Sequence, residues 1–188
     1  MTFERPWIGK RVPNGFWNDI ENQKRYFEDL SKHYGYEIPE DYYQLTAKKI
    51  REYYGSALLN KKHYAGSISA FVKAMIPDYP WLLFKFAGTP KWHWDNPDNH
   101  REFFDYMCQE NNITSDNDYH DYYGINQEII RSSGGISLLG KCFRNSPSDF
   151  VIKYGPKSAK WKRYKFRPTP KDHWIKRKNR REYFEDLC

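Results

Sequence analysis

The chain has 188 residues, a net charge of +7 and an unusually aromatic composition, with 16 Tyr, 12 Phe and 7 Trp. No apolar stretch approaches the ~20 residues of a membrane-spanning helix, and the first ten residues lack the apolar segment of a secretory signal peptide. The odd number of cysteines excludes a complete disulfide framework, so we expect an intracellular protein, neither secreted nor in a membrane, with an aromatic core.

The predicted elements of the first repeat begin after a short N-terminal arm. Asn22 is predicted to be the N-cap of the first helix, because its short side chain can accept a hydrogen bond from a backbone N–H two or three residues on. Thr46 is predicted to cap a second helix that ends at Gly55, and a short helix carries the Leu58-Leu59 pair. Ser67 caps the next helix, which stops at Pro77.

The same residues return later in the chain at offsets of about 80 residues. A tryptophan four residues after a proline, with an asparagine five residues further on, occurs three times. These tryptophans are Trp17, Trp94 and Trp174, and the asparagines are Asn22, Asn99 and Asn179, each predicted to be the N-cap of a helix. The second half occurs twice, as an Asp-Tyr-Tyr triplet, a glycine, a Leu-Leu pair, a serine and Phe-Val. These triplets begin at Asp41 and Asp121, and the glycines are Gly55 and Gly135.

This self-similarity predicts a duplicated fold. We predict an all-α fold of two pseudo-repeated multi-helix modules of about 80 residues plus a terminal helix from a partial third repeat. The predicted divisions are an N-terminal arm at 1–11, helical repeat 1 at 12–88, helical repeat 2 at 89–168 and partial repeat 3 at 169–188. The order of elements fits a helix-turn-helix type trihelical core and equally a generic helical repeat.

The positive charge is concentrated near the C-terminus. Residues 153–181 carry 13 Lys and Arg, including Lys171, against Asp172 alone, whereas the first 152 residues carry 18 basic and 20 acidic residues. The matching stretch of the first repeat, 73–101, has only four cations. Because the extra charges are added to a repeated scaffold, we predict that they lie on the surface and bind a phosphate backbone.

Aromatic residues alternate with these cations. Trp161, Phe166 and Trp174 match Trp81, Phe86 and Trp94 and are predicted to be core residues. The predicted nucleic-acid-binding residues are the cations around them, namely Lys160, Lys162, Arg163, Lys165, Lys176, Arg177, Lys178 and Arg180. Arg163, Arg177 and Arg180 are the strongest individual candidates, because a guanidinium contacts phosphate through two parallel hydrogen bonds.

The sequence shows no pattern that predicts catalysis or a metal site. The six histidines contain no i, i+4 pair, and His93 and His100 are expected to be solvated. Lys141 and Arg144 are predicted to lower the pKa of the Cys142 thiol, but the first repeat has Lys62 at this position. Asp41 and Asp121 suit either a glycosidase-like acid pair or, as we favour, a helix cap or an acid that holds a tyrosine hydroxyl. We therefore predict no enzymatic activity, no cofactor and no metal.

The order Trp, Asn-x-Arg, aromatic pair, Asp-Tyr-Tyr, Gly, Leu-Leu, Ser, Phe-Val, Pro, Trp, Phe resembles a tandem module of uncharacterised giant-virus, algal and protist proteins. The resemblance covers about residues 12–187, and Asn179-Arg180-Arg181 is its best match. Tyr42 and Tyr122 stand where that module usually has tryptophan. The resemblance transfers no chemistry, and nuclease-like or zinc-ribbon segments beside the module in larger proteins imply a link to nucleic acid.

We therefore predict a non-enzymatic helical repeat protein that binds DNA or RNA with little sequence preference. The alternative is a structural subunit of a large assembly, such as a virion or an organellar ribonucleoprotein, that contacts mainly other proteins. In that case Tyr53, Tyr64 and Tyr79 would be exposed interface residues.

Overall fold

The computed structural model describes residues 5–9, 11–60, 62–90, 92–114, 119–167, 169 and 173–187. Every regular element in these ranges is an α-helix or a 3-10 helix, which confirms the all-α class. The chain divides into two compact units, Met1–Pro90 and Lys91–Cys188. Lys171 and Pro170 of the predicted third copy lie outside the described residues, as does Cys188.

The first unit contains three α-helices, α1 (Ile20–Tyr34), α2 (Ala47–Glu52) and α3 (Ile68–Met75). They are separated by 3-10 helices at Phe16–Asn18, Pro39–Gln44, Ser56–Leu59 and Leu83–Lys85. The predicted caps of the later helices are confirmed, since the Thr46 hydroxyl accepts from the Lys49 N–H and the Ser67 hydroxyl from the Ala70 N–H.

The second unit contains α4 (Pro97–Glu110), α5 (His120–Tyr123), α6 (Gln127–Ser132), α7 (Ile136–Phe143), α8 (Pro147–Tyr154) and α9 (Arg177–Glu185). Its 3-10 helices are His93–Asp95, Arg163–Lys165 and His173–Ile175. Asn126 caps α6 and Ser146 caps α8, as Thr46 and Ser67 do for α2 and α3 in the first unit.

The predicted N-caps of the first helices were wrong. The caps are Asp19 for α1 and Asn96 for α4, three residues earlier, and Lys176 stands at this position before α9. The asparagines lie inside the helices and donate backwards to the carbonyl six residues before them. These bonds are Asn22 to Phe16 at 3.0 Å, Asn99 to His93 at 2.6 Å and Asn179 to His173 at 2.7 Å. The amide therefore ties the preceding 3-10 helix to the helix.

The core of the first unit is built from aromatic rings. Trp7 and Trp17 both contact the fully buried Tyr26 ring edge-on, at centroid distances of 5.6 and 5.3 Å, and the Tyr26 hydroxyl donates to the Ile50 carbonyl. Buried Asp29 accepts from the Tyr53 hydroxyl at 2.6 Å and pairs with Arg5 at 2.9 Å. Trp7 and Arg5 thus anchor the predicted arm 1–11 to this core.

Gly55 and Gly135 are required for space. Both have a negative φ, and it is Tyr54 that adopts the left-handed conformation at the end of α2. A Cβ on Gly55 would overlap the Tyr26 hydroxyl, and a Cβ on Gly135 would overlap the Phe103 ring. Each glycine therefore lets the central aromatic of its unit approach the backbone.

Candidate nucleic-acid interface

Three of the predicted lysines lie around one tyrosine in the second unit. Lys160, Lys162 and Lys165 line a concavity of about 300 Å³ together with Tyr119, Tyr123 and Ser158, which we call the lysine groove. The Lys165 ammonium lies 5.8 Å from the centre of the Tyr123 ring. The groove therefore combines cations with an aromatic surface, as nucleic-acid-binding grooves do.

The backbone of the lysine groove has a counterpart in the first unit. The Lys162 N–H donates to the Tyr123 hydroxyl at 3.0 Å, and the Leu82 N–H donates to the Tyr43 hydroxyl at 3.0 Å. Aligning the two donors, Lys162 and Leu82, places Lys160 opposite Pro80 and Arg163 opposite Leu83. At these three positions the same local backbone carries apolar side chains in one unit and cations in the other, whereas Lys165 has a counterpart in Lys85, which lies over the Tyr43 ring.

Two of the predicted cations have acidic partners within the second unit. Lys162 forms an ion pair with Asp186, which also accepts a hydrogen bond from the Tyr164 hydroxyl. The Arg163 guanidinium lies 2.6 Å from Asp149 on α8. Arg163 is therefore a weaker phosphate ligand than predicted, because a phosphate would have to displace Asp149.

The start of α9 is the most basic part of the described chain. Lys176, Arg177 and Lys178 are exposed and make no ion pair or hydrogen bond through their side chains with any described residue. Arg180, one turn later, is also exposed, and its guanidinium donates to the Trp174 carbonyl at 3.1 Å. The equivalent triplets before Asn22 and Asn99 are Asp-Ile-Glu and Asn-Pro-Asp. Cations at a helix N-terminus oppose the helix dipole, so this arrangement is not explained by helix stability.

The predicted burial of the aromatics in the basic segment was partly wrong. Phe166 is buried and Trp161 partly buried, but Trp174 is 39% exposed. Its ring contacts Tyr164 at 6.5 Å and Tyr183 at 5.2 Å. Trp174 therefore presents an aromatic face beside the cations of α9, which the repeat alignment did not indicate.

Two histidines that were expected to be solvated are buried. His100 contacts the Tyr154 hydroxyl through Nδ1 at 2.8 Å and the Trp94 carbonyl through Nε2 at 2.9 Å. His93 is also buried, and burial lowers its pKa. These rings belong to the core, and within the described residues no group of three His, Cys, Asp or Glu is placed to hold a metal ion.

Cys142 is close to a histidine but is not activated by it. Its Sγ lies 3.9 Å from His100 Nε2, which also faces the Trp94 carbonyl. Burial raises the pKa of the Cys142 thiol and outweighs the neighbouring Lys141, so the predicted lowering was wrong. Because the Trp94 carbonyl can only accept a hydrogen bond, His100 Nε2 carries the hydrogen of that contact. The same nitrogen therefore cannot act as a base for the Cys142 thiol.

The two repeated aspartates hold local backbone groups. Asp41 accepts from the N–H groups of Glu37 and Ile38 at 2.8 and 3.0 Å, and Asp121 contacts the Thr114 N–H at 3.4 Å. Asp41 therefore acts as a cap of the 3-10 helix Pro39–Gln44, which is one of the two roles that we favoured for it.

Searches found no protein-family model, no curated protein and no solved structure that matches this chain. In the part of the chain that the structure describes, no helix has the length and apolar character needed to cross a membrane.

A second cavity adjoins the predicted cations and was missed by sequence reasoning. It has a volume of about 860 Å³ and is lined by amide, hydroxyl and guanidinium side chains together with the Glu128 carboxylate and apolar surface, and we call it the amide cavity. Its lining includes Asn126, Gln127, Arg131, Arg144, Asn145 and Ser146. The available signal was Arg144-Asn145, which stands where the first repeat has Ala65-Gly66 before its capping serine.

Proposed function

We propose that the chain is a non-enzymatic nucleic-acid-binding protein that uses the cations of its second unit. The observation that carries the proposal is the exchange of side chains at matched positions. Lys176-Arg177-Lys178 replaces Asp-Ile-Glu of the first repeat, and Lys160 and Lys162 replace Pro80 and Leu82. A repeated scaffold does not need these charges for folding, and clustered surface cations are the electrostatic footprint of polyanion binding.

The interface consists of the lysine groove and the first turn of α9. Lys160, Lys165, Lys176, Arg177 and Lys178 have no described carboxylate within ion-pairing distance. Lys162 and Arg163 contribute less, since Asp186 and Asp149 already neutralise them. Contacts of this kind are made to phosphates, so we propose little sequence preference.

The setting of this activity is part of the proposal. We propose an intracellular protein, because nucleic acid and free cysteines occur together inside cells. We also propose that the chain belongs with the tandem-module proteins that its residue order resembles. Binding without catalysis predicts that the purified chain does not cleave DNA or RNA in the presence of divalent metal ions.

The experiment that tests the proposal removes the α9 cations and measures binding by fluorescence anisotropy. Lys176→Ala, Arg177→Ala and Lys178→Ala together should weaken binding to any nucleic-acid sequence by about tenfold or more at low salt. Helical content should be retained, because alanine has a high helix propensity. The control is Arg11→Ala, Lys48→Ala and Lys73→Ala, which removes the same charge from exposed positions of the first unit. Equal losses of nucleic-acid affinity in both triple variants would show that binding depends only on the net charge of the chain and not on the α9 cations.

A second candidate function is an interaction subunit of a large assembly. Exposed apolar residues on and around α9 favour it, namely Trp174, Ile175, Phe184 and Leu187. Their counterparts in the first repeat include Trp17, Phe27 and Leu30, which are buried. Of the tyrosines predicted to be exposed, Tyr53 is buried, whereas Tyr64 and Tyr79 are partly buried and donate to Gln23 and Glu40.

Sedimentation of the purified chain separates the two functions. A stable oligomer in the absence of nucleic acid that dissociates on Phe184→Ser would favour the assembly role. A monomer that forms a complex only when nucleic acid is added would favour binding.

A further inference from the structure

The amide cavity lies in the second unit, where α6, beginning with its N-cap Asn126, meets the residues after α7 and the start of α8. Arg131 is in the last turn of α6, and Arg144 and Asn145 follow α7. Its volume of about 860 Å³ falls within the usual range for small-molecule sites, ~300–1,000 Å³. The cavity therefore has room for one nucleotide.

The side chains that line the cavity have hydrogen-bonding capacity to spare. Asn126 Oδ1 accepts from two backbone N–H groups, but its Nδ2 has no described partner. Gln127 Nε2 donates to the Asn145 carbonyl at 2.9 Å, which leaves its Oε1 without a described partner. Amides offer both donors and acceptors, which is what the edge of a base requires.

Two cations accompany these amides. The Arg144 guanidinium is exposed and has no hydrogen bond or ion pair with any described residue, and Arg131 lies 3.9 Å from Glu128, a loose pair. An exposed guanidinium is suited to bind a phosphate bidentately. The cavity thus brings together groups for a base and groups for its phosphate.

The backbone at Arg144 and Asn145 is left-handed, a conformation that asparagine tolerates but arginine rarely adopts. Their φ angles are 51° and 61°, in the left-handed region, and Ala65 and Gly66 adopt 49° and 81° at the matched positions. The first unit has small residues at these two positions, and one of them is a glycine, which adopts the left-handed conformation freely. In the second unit a bulky cation is kept there despite the strain, as is common at functional sites.

A third concavity has lining residues in common with both the amide cavity and the lysine groove. This concavity, of about 650 Å³, shares Asn126 with the cavity and shares Tyr123 and Lys165 with the groove. It adds Arg167 and the Tyr164 ring to the path. A strand lying along this path would meet phosphate-binding cations and aromatic rings in succession, which is how single strands are bound.

We propose that the amide cavity binds an unpaired nucleotide of a single strand whose backbone continues through the lysine groove. The inference rests on the proposed function and names its substrate class as single-stranded nucleic acid. A base inside a duplex is stacked and its Watson–Crick edge is occupied, so only an unpaired base can enter a cavity and meet its amides.

The test compares a 12-nucleotide single strand, as RNA and as DNA, with a blunt 12-base-pair duplex in fluorescence anisotropy. Arg144→Ala with Asn145→Gly restores the first-repeat sequence and suits the left-handed backbone, so the variant should fold. We expect the single strand to bind the wild-type chain at least about tenfold more tightly than the duplex does, and the variant to lose about tenfold on the single strand alone. Gln127→Ala, which restores Ala47, should weaken single-strand binding severalfold, and Lys48→Ala is the charge-matched control.

The outcomes separate this inference from the proposed function. Loss of single-strand affinity in both cavity variants, with duplex affinity unchanged, supports the inference for RNA or DNA according to which strand responds. Equal binding of single strand and duplex, unaffected by the cavity variants, overturns it and leaves the proposed function standing. Absence of any binding by the wild-type chain at low salt overturns both.

Discussion

The Tyr123 hydroxyl accepts a hydrogen bond from the backbone N–H of Lys162 at 3.0 Å, and this bond fixes the wall of the lysine groove. Tyr43 holds Leu82 in the same way in the first unit. The same hydrogen bond therefore occurs in both units, and the residue that donates it is a lysine in the second unit and a leucine in the first.

Tyr123→Phe should lower the free energy of unfolding by about 1 kcal/mol, because the Lys162 N–H loses its acceptor. It should also weaken nucleic-acid binding severalfold, since Lys162 and its neighbours are no longer held beside the ring. Urea unfolding and fluorescence anisotropy measure the two effects. Tyr43→Phe is the matched control, expected to lower stability similarly without changing affinity. An equal loss of affinity in the control would show that the groove is not the interface.

Gly135→Ala should destabilise the second unit by about 1–3 kcal/mol, because the added methyl overlaps the buried Phe103 ring and overpacks the core. Thermal unfolding followed by circular dichroism measures the change. Gly88→Ala is the control, since a Cβ at Gly88 meets no atom within 4 Å and its backbone is not left-handed. If Gly135→Ala unfolds at the same temperature as Gly88→Ala, the Phe103 ring does not pack against Gly135 as closely as described.

Asp41 predicts a pH-dependent contribution to stability. Hydrogen bonds from the N–H groups of Ile38 and Glu37 hold the pKa of Asp41 below its ordinary value. A lowered folded-state pKa gives stability that is present above the unfolded-state pKa, about 3.9, and lost as pH falls through the folded-state pKa. Asp41→Ala should therefore lower the thermal midpoint at pH 7, and the difference from wild type should narrow below about pH 4.

The control for Asp41 is Asp78→Ala, which removes an exposed carboxylate of the same unit that has no hydrogen bond or ion pair with any described residue and should change the midpoint little at pH 7. If the difference in thermal midpoint between wild type and Asp41→Ala stays constant from pH 7 to pH 2.5, the ionised Asp41 carboxylate does not stabilise the fold through these hydrogen bonds.

Local features of the fold could be predicted from the sequence, because they depend on neighbouring residues. The caps Thr46 and Ser67 act on N–H groups three residues away, and their position before an apolar segment identified them. The asparagine at position 22 was misassigned, because its amide can accept from the residues that follow or donate to those that precede. Asp19, three residues earlier, was the better capping candidate.

Burial and the shape of the site depended on residues far apart in the chain. Trp94 is covered by α7, where its indole donates to Ser137 at 2.9 Å, whereas the described ring contacts of Trp174 are to Tyr164, His173 and Tyr183. The alignment of Trp174 with the buried Trp94 therefore did not predict the exposure of Trp174. The amide cavity brings Asn126 together with Arg144 and Thr169, and no local pattern predicts that meeting.

The most direct test of nucleic-acid binding by the second unit is the affinity of the chain for a labelled duplex and a labelled single strand between 50 and 200 mM salt, a range of about fourfold. Phosphate contacts release counterions, so the log–log slope should be near −0.9 per contact for duplex DNA. With ~4–6 contacts, the fourfold rise in salt should weaken binding roughly a hundredfold or more. A chain without micromolar affinity at 50 mM salt, or with an affinity that does not change with salt, would contradict the account and favour the assembly role.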